Sequence, residues 1–341
     1  MIQFNEMTAE QRRVFIDTEQ LHRAYQAAVK SSEAYKGGMH WKRSKGHQYL
    51  FKTTDRLGNG KSLGPRSSAT EKIKLEFQQG KKKSNDRISQ LKANLKNQAR
   101  FVKAARIQRV PVTLARILRV LEREGLLGKN TQVIGTNALY AYESMAGVFL
   151  DRAVTATQDA DILWDIRPRL ILVSGSETGR TGFLNLLHKA DRSFEPTLPG
   201  GYRAANKNGY LVDLIKAEPR PATKNERKQM ELNDDLSAAE IKNLQWFLSS
   251  PRIEQVVIGE DGFPASLVVP DPRAFAVHKM WLSQQNDREP LKKTRDKEQA
   301  ITTFQLVIKY LPQYEFKSSD LKMFPKQLLD EYLELFKKEM D

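Results

Sequence analysis

The sequence has no cysteine, which excludes disulfides, thiolate metal ligands and cysteine nucleophiles together. Histidine is scarce. His22, His40, His47, His188 and His278 show no HExxH or HxxxH spacing, so nothing in them points to a histidine-based zinc hydrolase. His278, beside Lys279, reads as a packed helix residue. No apolar run approaches the roughly 20 residues that span a bilayer, and the opening stretch MIQFNEMTAEQRRVF has no hydrophobic leader. The expectation is a cytoplasmic protein with no membrane partner. Acids are short as well: 41 Asp and Glu face 56 Lys and Arg, for a formal net charge of +15. What remains is carboxylate, hydroxyl, lysine and histidine chemistry on 341 residues, of which 40% are hydrophobic. That is enough chain for two or three domains and a real core.

The cationic excess is uneven. Residues 81–110 carry Lys81, Lys82, Lys83, Arg87, Lys92, Lys96, Arg100, Lys103, Arg106 and Arg109 against the single acid Asp86. Residues 41–66 repeat the bias with Lys42, Arg43, Lys45, Lys52, Arg56, Lys61 and Arg66 against Asp55. Such runs make either a solvated face or a surface for a polyanion, which they would bind by neutralising phosphates and releasing counterions. Lys42, Arg43, Lys45, Lys81, Lys82, Lys83, Lys92 and Lys96 are the nucleic-acid-binding candidates.

Periodicity divides the chain into four segments. In 1–67, Thr8 with Gln11 forms a capping box before a helix marked by Val14, Leu21, Tyr25 and Val29. A basic β-meander follows, turning at Gly46 and at Gly58-Asn59-Gly60. Its Trp41, Tyr49 and Phe51 serve either as base-stacking platforms or as the meander's own core. Segment 68–128 is helical, first highly polar and then amphipathic through Val112, Leu114, Ile117, Leu118 and Leu121, until the glycines of REGLLGKN stop it. Segment 129–260 alternates strands and helices, and 261–341 returns to helix. The predicted class is α/β (α+β): a mixed-sheet core with helical flanks and a small N-terminal meander. Trp164 and Trp246 read as core. The glycine-rich SGSETGRTG at 174–182 lacks a P-loop ending. It reads as a loop into the helix FLNLLHKAD, with Arg180 available to a phosphate.

The chemistry concentrates in the third segment. TQVI, a tight turn at Gly135, and a helix opening with Thr136 and Asn137 form a strand-turn-helix unit of the kind that binds anions, because backbone N–H groups converge on a helix N-terminus. In TQDADILWD, Asp159 and Asp161 are two residues apart, so on a strand both carboxylates project from one face. Side by side they repel unless a cation lies between them. Magnesium, held by one or two carboxylates plus substrate phosphates, suits that spacing. In NGYLVDLIKAE a third acid, Asp213, stands among apolar strand residues after the hairpin turn NKNG. There it is costly unless paired or metal-bound. Asp165, farther along the first strand, marks the strand's end.

This pattern, with Gly135-Thr136 after a strand, then Asp159-Ala160-Asp161, then a separate strand acid at Asp213, resembles the signature of the polymerase-β-type minimal nucleotidyltransferase superfamily. The segment DPRAFAVHKMWLSQQNDREPLKKTRDKEQA is similar to bacterial nucleotidyltransferase-fold proteins, including toxins of type IV toxin–antitoxin systems. The tract MHWKRSKGHQYLFK…GKSLGPRS resembles one bacterial branch of the same fold. The resemblance implies that Gly135, Thr136 and Asn137 grip nucleotide phosphates and that Asp159, Asp161 and Asp213 bind two Mg2+ ions, with Mn2+ as a substitute. Asp213 would also activate an acceptor hydroxyl. Lys279 would reach the phosphates, and Lys293 and Asp296 would shape the pocket, with Lys293 and Arg295 interchangeable. Gly135 and Asp159 lie about twice as far apart as usual in the superfamily, which implies an insertion at the site's rim.

The implied activity is transfer of NMP from an NTP, ATP or another, to a hydroxyl acceptor with loss of pyrophosphate. The basic segments favour RNA, for example a tRNA 3′ end, as acceptor. The alternatives are the same chemistry on a protein side chain or small molecule, as in a nucleotidylating toxin with an antitoxin partner, or a non-catalytic nucleic-acid-binding protein on this fold.

Overall fold

The computed structural model describes residues 4–55, 57–165, 182–218 and 236–339. Arg56, residues 174–181 of the glycine-rich loop, and with them Arg180, lie outside the described residues. The chain divides into two compact units, one formed by Arg13–Arg106 and the other by the flanking sequence from both sides.

A short strand, β1 (Asn5–Glu6), leads into helix α1 (Ala9–Ser32). The expected capping box is present: Thr8 N–H donates to Gln11 Oε1 at 3.0 Å and Gln11 N–H to Thr8 Oγ1 at 3.2 Å. In the Arg13–Arg106 unit, β2 (Gly38–Ser44), β3 (His47–Thr53) and β4 (Gly60–Pro65) form the predicted antiparallel meander. Lys45 and Gly46 make its first turn with φ of 47° and 81°, the two left-handed residues that a tight hairpin requires. The meander buries Leu50, not its aromatics. Trp41 is half-buried, with the Arg66 guanidinium 5.2 Å and the Lys74 ammonium 5.5 Å from its ring centre. Helix α2 (Ser68–Ala105) starts on a capping box of Ser67 and Thr70. It sets Leu95, Ala99 and Val102 inward and leaves most of its cations outward.

The helical pattern read over Ser68–Glu124 is interrupted. Helix α2 stops at a left-handed Arg106 (φ 56°), and α3 (Val112–Arg123) begins after Pro111. Proline has no N–H and disfavours helix for the residue before it. Val110 accordingly runs extended and donates its N–H to Ile258 O at 3.0 Å. Composition alone did not separate the two helices, because both halves are rich in good helix formers.

The second unit is built on a six-stranded mixed sheet of β5 (Thr131–Ile134), β7 (Asp159–Trp164), β8 (Glu195–Pro196), β9 (Arg203–Ala205), β10 (Leu211–Ala217) and β11 (Ala239–Ile241). The order is β5-β7-β10-β9-β8, with β11 alongside the far end of β10. Between β5 and β7 come α4 (Leu139–Ala146), β6 (Val148–Phe149) and α5 (Arg152–Thr155), which account for the long spacing from Gly135 to Asp159. Helix α6 (Phe183–Ala190) precedes β8, and α7 (Gln245–Ser249) leads to the hairpin β12 (Arg252–Ile258) and β13 (Pro264–Pro270). The chain then forms α8 (Pro272–Ser283), α9 (Pro290–Tyr310) and α10 (Lys326–Lys338). This is the mixed-sheet core with helical flanks expected from the sequence.

Strand alternation sends side chains to two separate cores. Val133, Ala160, Ile162, Val212 and Leu214 pack with Leu114, Leu118 and Leu121 of α3 and with Phe183 and Leu187 of α6. Ile134, Leu163, Ile215 and Ala217 pack with Val277 and Met280 of α8 and Ala300 and Phe304 of α9. Trp164 and Trp246 pack against these cores. Asp159, Asp161 and Asp213 share the second face, because they alternate with the residues of the first.

Candidate active site

The site is a single row across the sheet. Ile134 of β5 pairs with Asp161 of β7, Asp161 with Asp213 of β10, and Asp213 with Arg203 of β9. Residues directly opposite on neighbouring strands project to the same side, so the expected convergence of the acids is a consequence of register. Leu211 opposite Asp159 ends the acidic patch on the next row. Asp159 and Asp161 are half-buried and Asp213 is buried.

Gly135 follows β5 with φ +68°. A Cβ built there would overlap Asp161 Oδ2, far inside van der Waals contact, and would lie 3.1 Å from Asp161 Cγ. The glycine therefore serves both the left-handed turn and the close approach of a carboxylate. Residues Gly135–Ala138 form a 3-10 turn before α4, with Thr136 and Asn137 buried. Asn137 Nδ2 donates to Asp159 O at 2.6 Å, which ties the turn to the acid-bearing strand. Thr157 Oγ1 donates to Asp159 Oδ1.

Helices α8 and α9 close the site. Lys279 Nζ donates to Asp296 Oδ1 at 2.6 Å, and the Arg288 guanidinium reaches Asp296 Oδ2 at 2.7 Å. Asp296 is fully buried. Burial opposes its charge, but the two cations hold its carboxyl below the ordinary range. Burial pulls the Lys279 ammonium down from its ordinary value, against the support of Asp296 and, more weakly, Asp161. Gln299 Nε2 donates to Thr136 Oγ1 at 3.1 Å and to Val154 O at 2.9 Å. Among the described residues, Asn137 Oδ1, Gln299 Oε1 and Tyr210 Oη are buried with no hydrogen-bond partner. Such atoms are costly unless a ligand or water completes them.

Electrostatics shows that the acids sense one another. Burial, and after it the charges of Asp159 and Asp213, push the Asp161 carboxyl up to about 7. Asp213 is neutralised from the side: Arg203 Nε donates to Oδ1 and an Arg203 terminal nitrogen to Oδ2, each at 2.6 Å. These bonds raise the Arg203 guanidinium further above its ordinary value. Burial raises the Tyr210 phenol, with Tyr140, Asp159 and Asp161 adding to the shift.

A family model described as a nucleotidyltransferase matches residues 113–324, a stretch that holds the whole six-stranded sheet together with α8 and α9. The chain belongs to this nucleotidyltransferase family. No curated protein and no solved structure matches it.

The nucleotidyltransferase unit brings Gly135, Thr136, Asn137, Asp159, Asp161, Asp213, Lys279 and Asp296 into one region. Lys293 lies half-buried one turn before Asp296 on α9. The basic candidates all belong to the other unit. There Lys42, Arg43, Lys45, Lys82, Lys83, Lys92 and Lys96 are exposed, whereas Lys81 is half-buried and donates to Gly37 O at 2.5 Å. Asp165 closes β7 as a buried ion pair with Arg252. Arg203, Arg288, Gln299 and Tyr210 escaped the sequence reading. Arg203 alone had a signal, since counting outward from the NKNG turn centred on Asn208 sets it opposite Asp213.

A divalent cation needs oxygen donors gathered around one point. Among the described residues, no group of three or more His, Asp and Glu is gathered so as to hold one. The pair Asp159 and Asp161 fits in kind, because both carboxylates stand on one face of β7 and Mg2+ commonly takes only one or two protein carboxylates. Asp213 fits only once Arg203 has let go.

Proposed function

We propose that this nucleotidyltransferase moves NMP from an NTP to a hydroxyl acceptor, with RNA as the acceptor class. The observation that carries the reading is the row Asp161-Asp213-Arg203 beside Asp159 and the Gly135 turn. In the reaction the acceptor oxygen forms a bond to the α-phosphorus, and the bond from that phosphorus to the β-phosphate oxygen breaks. The hydroxyl proton is released and pyrophosphate leaves. Asp159 and Asp161 would hold Mg2+, which when bound offsets phosphate charge and makes a hydroxyl easier to deprotonate. Thr136 and the backbone of the 135–138 turn bind triphosphate oxygens, Asp213 orients the acceptor hydroxyl, and Lys279 offsets charge on the departing pyrophosphate.

The acceptor class rests on the Arg13–Arg106 unit. Lys82, Lys92, Lys96, Arg100 and Lys103 are exposed on α2 at spacings that fall on or near one helix face. At 1.5 Å per residue they extend over about 32 Å, long enough to follow several phosphates. Incubation with each labelled NTP, Mg2+ and total RNA tests the reading. Label on RNA, abolished by Asp161→Asn, is expected. Label on protein would replace the acceptor, and no label under any condition would refute the enzymatic reading. Binding of RNA should weaken steeply with salt; a shallow slope would remove α2 from the interface.

A further inference from the structure

Asp213 is the acid that the proposed reaction needs free, and it is the acid the chain ties down. Both its oxygens are taken by one guanidinium, at 2.6 Å each. The pairing is built into the sheet, because Arg203 and Asp213 are register partners across β9 and β10 while Asp213 and Asp161 are partners across β10 and β7. Exposure is lopsided: the Asp213 side chain is 9% exposed and that of Arg203 36%. Arg203 can therefore swing outward into water, whereas Asp213 has no such exit and requires a replacement cation if its partner leaves. Outside the pair, the guanidinium already lies 5.6 Å from the ring centre of Tyr202, itself 41% exposed. A structural ion pair gains little from a place at the rim of an acidic row. A counter-ion that must be exchangeable belongs there.

We propose that Arg203 is the resident counter-ion of the site: it holds Asp213 until a divalent cation takes that carboxylate, and the freed guanidinium then binds the polyphosphate of the nucleotide. The inference rests on the nucleotide-transfer reading above. The exchange is one of charge only, with the Asp213–Arg203 pair giving way to Asp213–cation and Arg203–phosphate, and no covalent bond changes. The planar fork that grips a carboxylate with two parallel bonds grips a phosphate in the same way. Arg203 thus becomes a positioning residue for Asp213 before loading and a substrate contact after it.

The test is Mn2+ binding, read from the loss of the free-ion electron paramagnetic resonance signal, on the full chain without nucleotide. The set comprises wild type, Arg203→Gln, Asp213→Asn and the double variant. Removing the competitor should tighten Mn2+ binding about tenfold, the order of an exchangeable charge pair's coupling. In the Asp213→Asn background the same substitution should change nothing. Arg203→Lys, which keeps the charge and loses the fork, serves if Arg203→Gln does not fold, and should tighten binding by a smaller factor. With a non-hydrolysable NTP analogue present, Arg203→Gln should bind the analogue more weakly than wild type. Wild-type Mn2+ binding with no gain in either Arg203 variant overturns the inference and leaves the transfer reading standing. Failure of all four chains to bind Mn2+ overturns both.

Discussion

Replacing Gly135 with alanine isolates the contact on which the site is built. Two costs arise. The backbone there has φ +68°, which for a residue with a Cβ costs about 1–2 kcal/mol. The new methyl would also overlap Asp161 Oδ2 and sit 3.1 Å from Cγ, so either the carboxylate or the turn must move by the better part of an ångström. Displacements of about 1 Å in a catalytic group commonly cost on the order of a hundredfold in rate. Gly147 supplies the control. Its φ is +65°, but a Cβ there would meet nothing within 4 Å, so Gly147→Ala bears the backbone cost alone. Gly147→Ala should lose about 1–2 kcal/mol in urea unfolding, a fall in melting temperature of a few degrees for a unit of this size, and Gly135→Ala at least as much. Only Gly135→Ala should lose transfer of label from NTP, by about a hundredfold or more. Equal activity in the two variants would refute the argument that the missing Cβ exists to seat Asp161.

Other outcomes follow from buried charge. His278 is packed among Trp246, Phe247 and Trp281, and burial, with the Lys279 charge behind it, pulls its pKa from 6.5 to about 3. The folded value is the lower one, so the unfolded chain holds the extra proton between those limits. This contribution to stability is full above about pH 6.5 and is lost as pH falls toward 3, by about 2 kcal/mol at pH 5. His278→Phe should flatten that part of the urea-midpoint profile, and an unchanged profile would refute the assignment. Arg109 makes two bonds to Glu143, which is 2% exposed. Arg109→Ala leaves a buried acid unpaired and should cost about 3–5 kcal/mol in denaturant unfolding, and a loss below 1 kcal/mol would show the pair to be hydrated. Thr136→Val removes the hydroxyl that accepts from Gln299. It should alter stability by only about 1 kcal/mol yet raise the KM for NTP about tenfold, and an unchanged KM would free Thr136 from a phosphate role.

Local chemistry was legible from the residues alone. The Thr8 and Gln11 box, the Lys45-Gly46 turn, the strand Thr131–Ile134 and the shared face of Asp159 and Asp161 each depend on residues within a few positions of one another. Two-residue alternation and cap spacing are short-range rules, and they survive folding unchanged. The break before Pro111 also had a local signal in the proline, masked by the good helix formers on either side; what no local rule could supply is the partner of the extended residue Val110, Ile258 far along the chain. Nor could such rules find the buried core of the meander. Leu50 fills it while Trp41, Tyr49 and Phe51 stay half-buried, Trp41 beneath Arg66 and Lys74 and Phe51 beneath Lys42.

In the site, the sequence by itself determined which groups are present: three strand acids, a glycine turn, and a lysine and an aspartate on adjoining helices. Tertiary structure decided their partners. Asp296 is matched to Lys279 and Arg288 because the packing of α8 on α9 buries Lys279 against it and brings the partly exposed Arg288, from the link between the two helices, to its other oxygen. Asp213 is matched to Arg203 because an antiparallel hairpin sets them opposite one another, and to Asp161 because a parallel neighbour does the same. Whether a carboxylate is a ligand, a base or half of an ion pair depends on what stands within about 3 Å of it, and that distance is measured across strands and not along the chain.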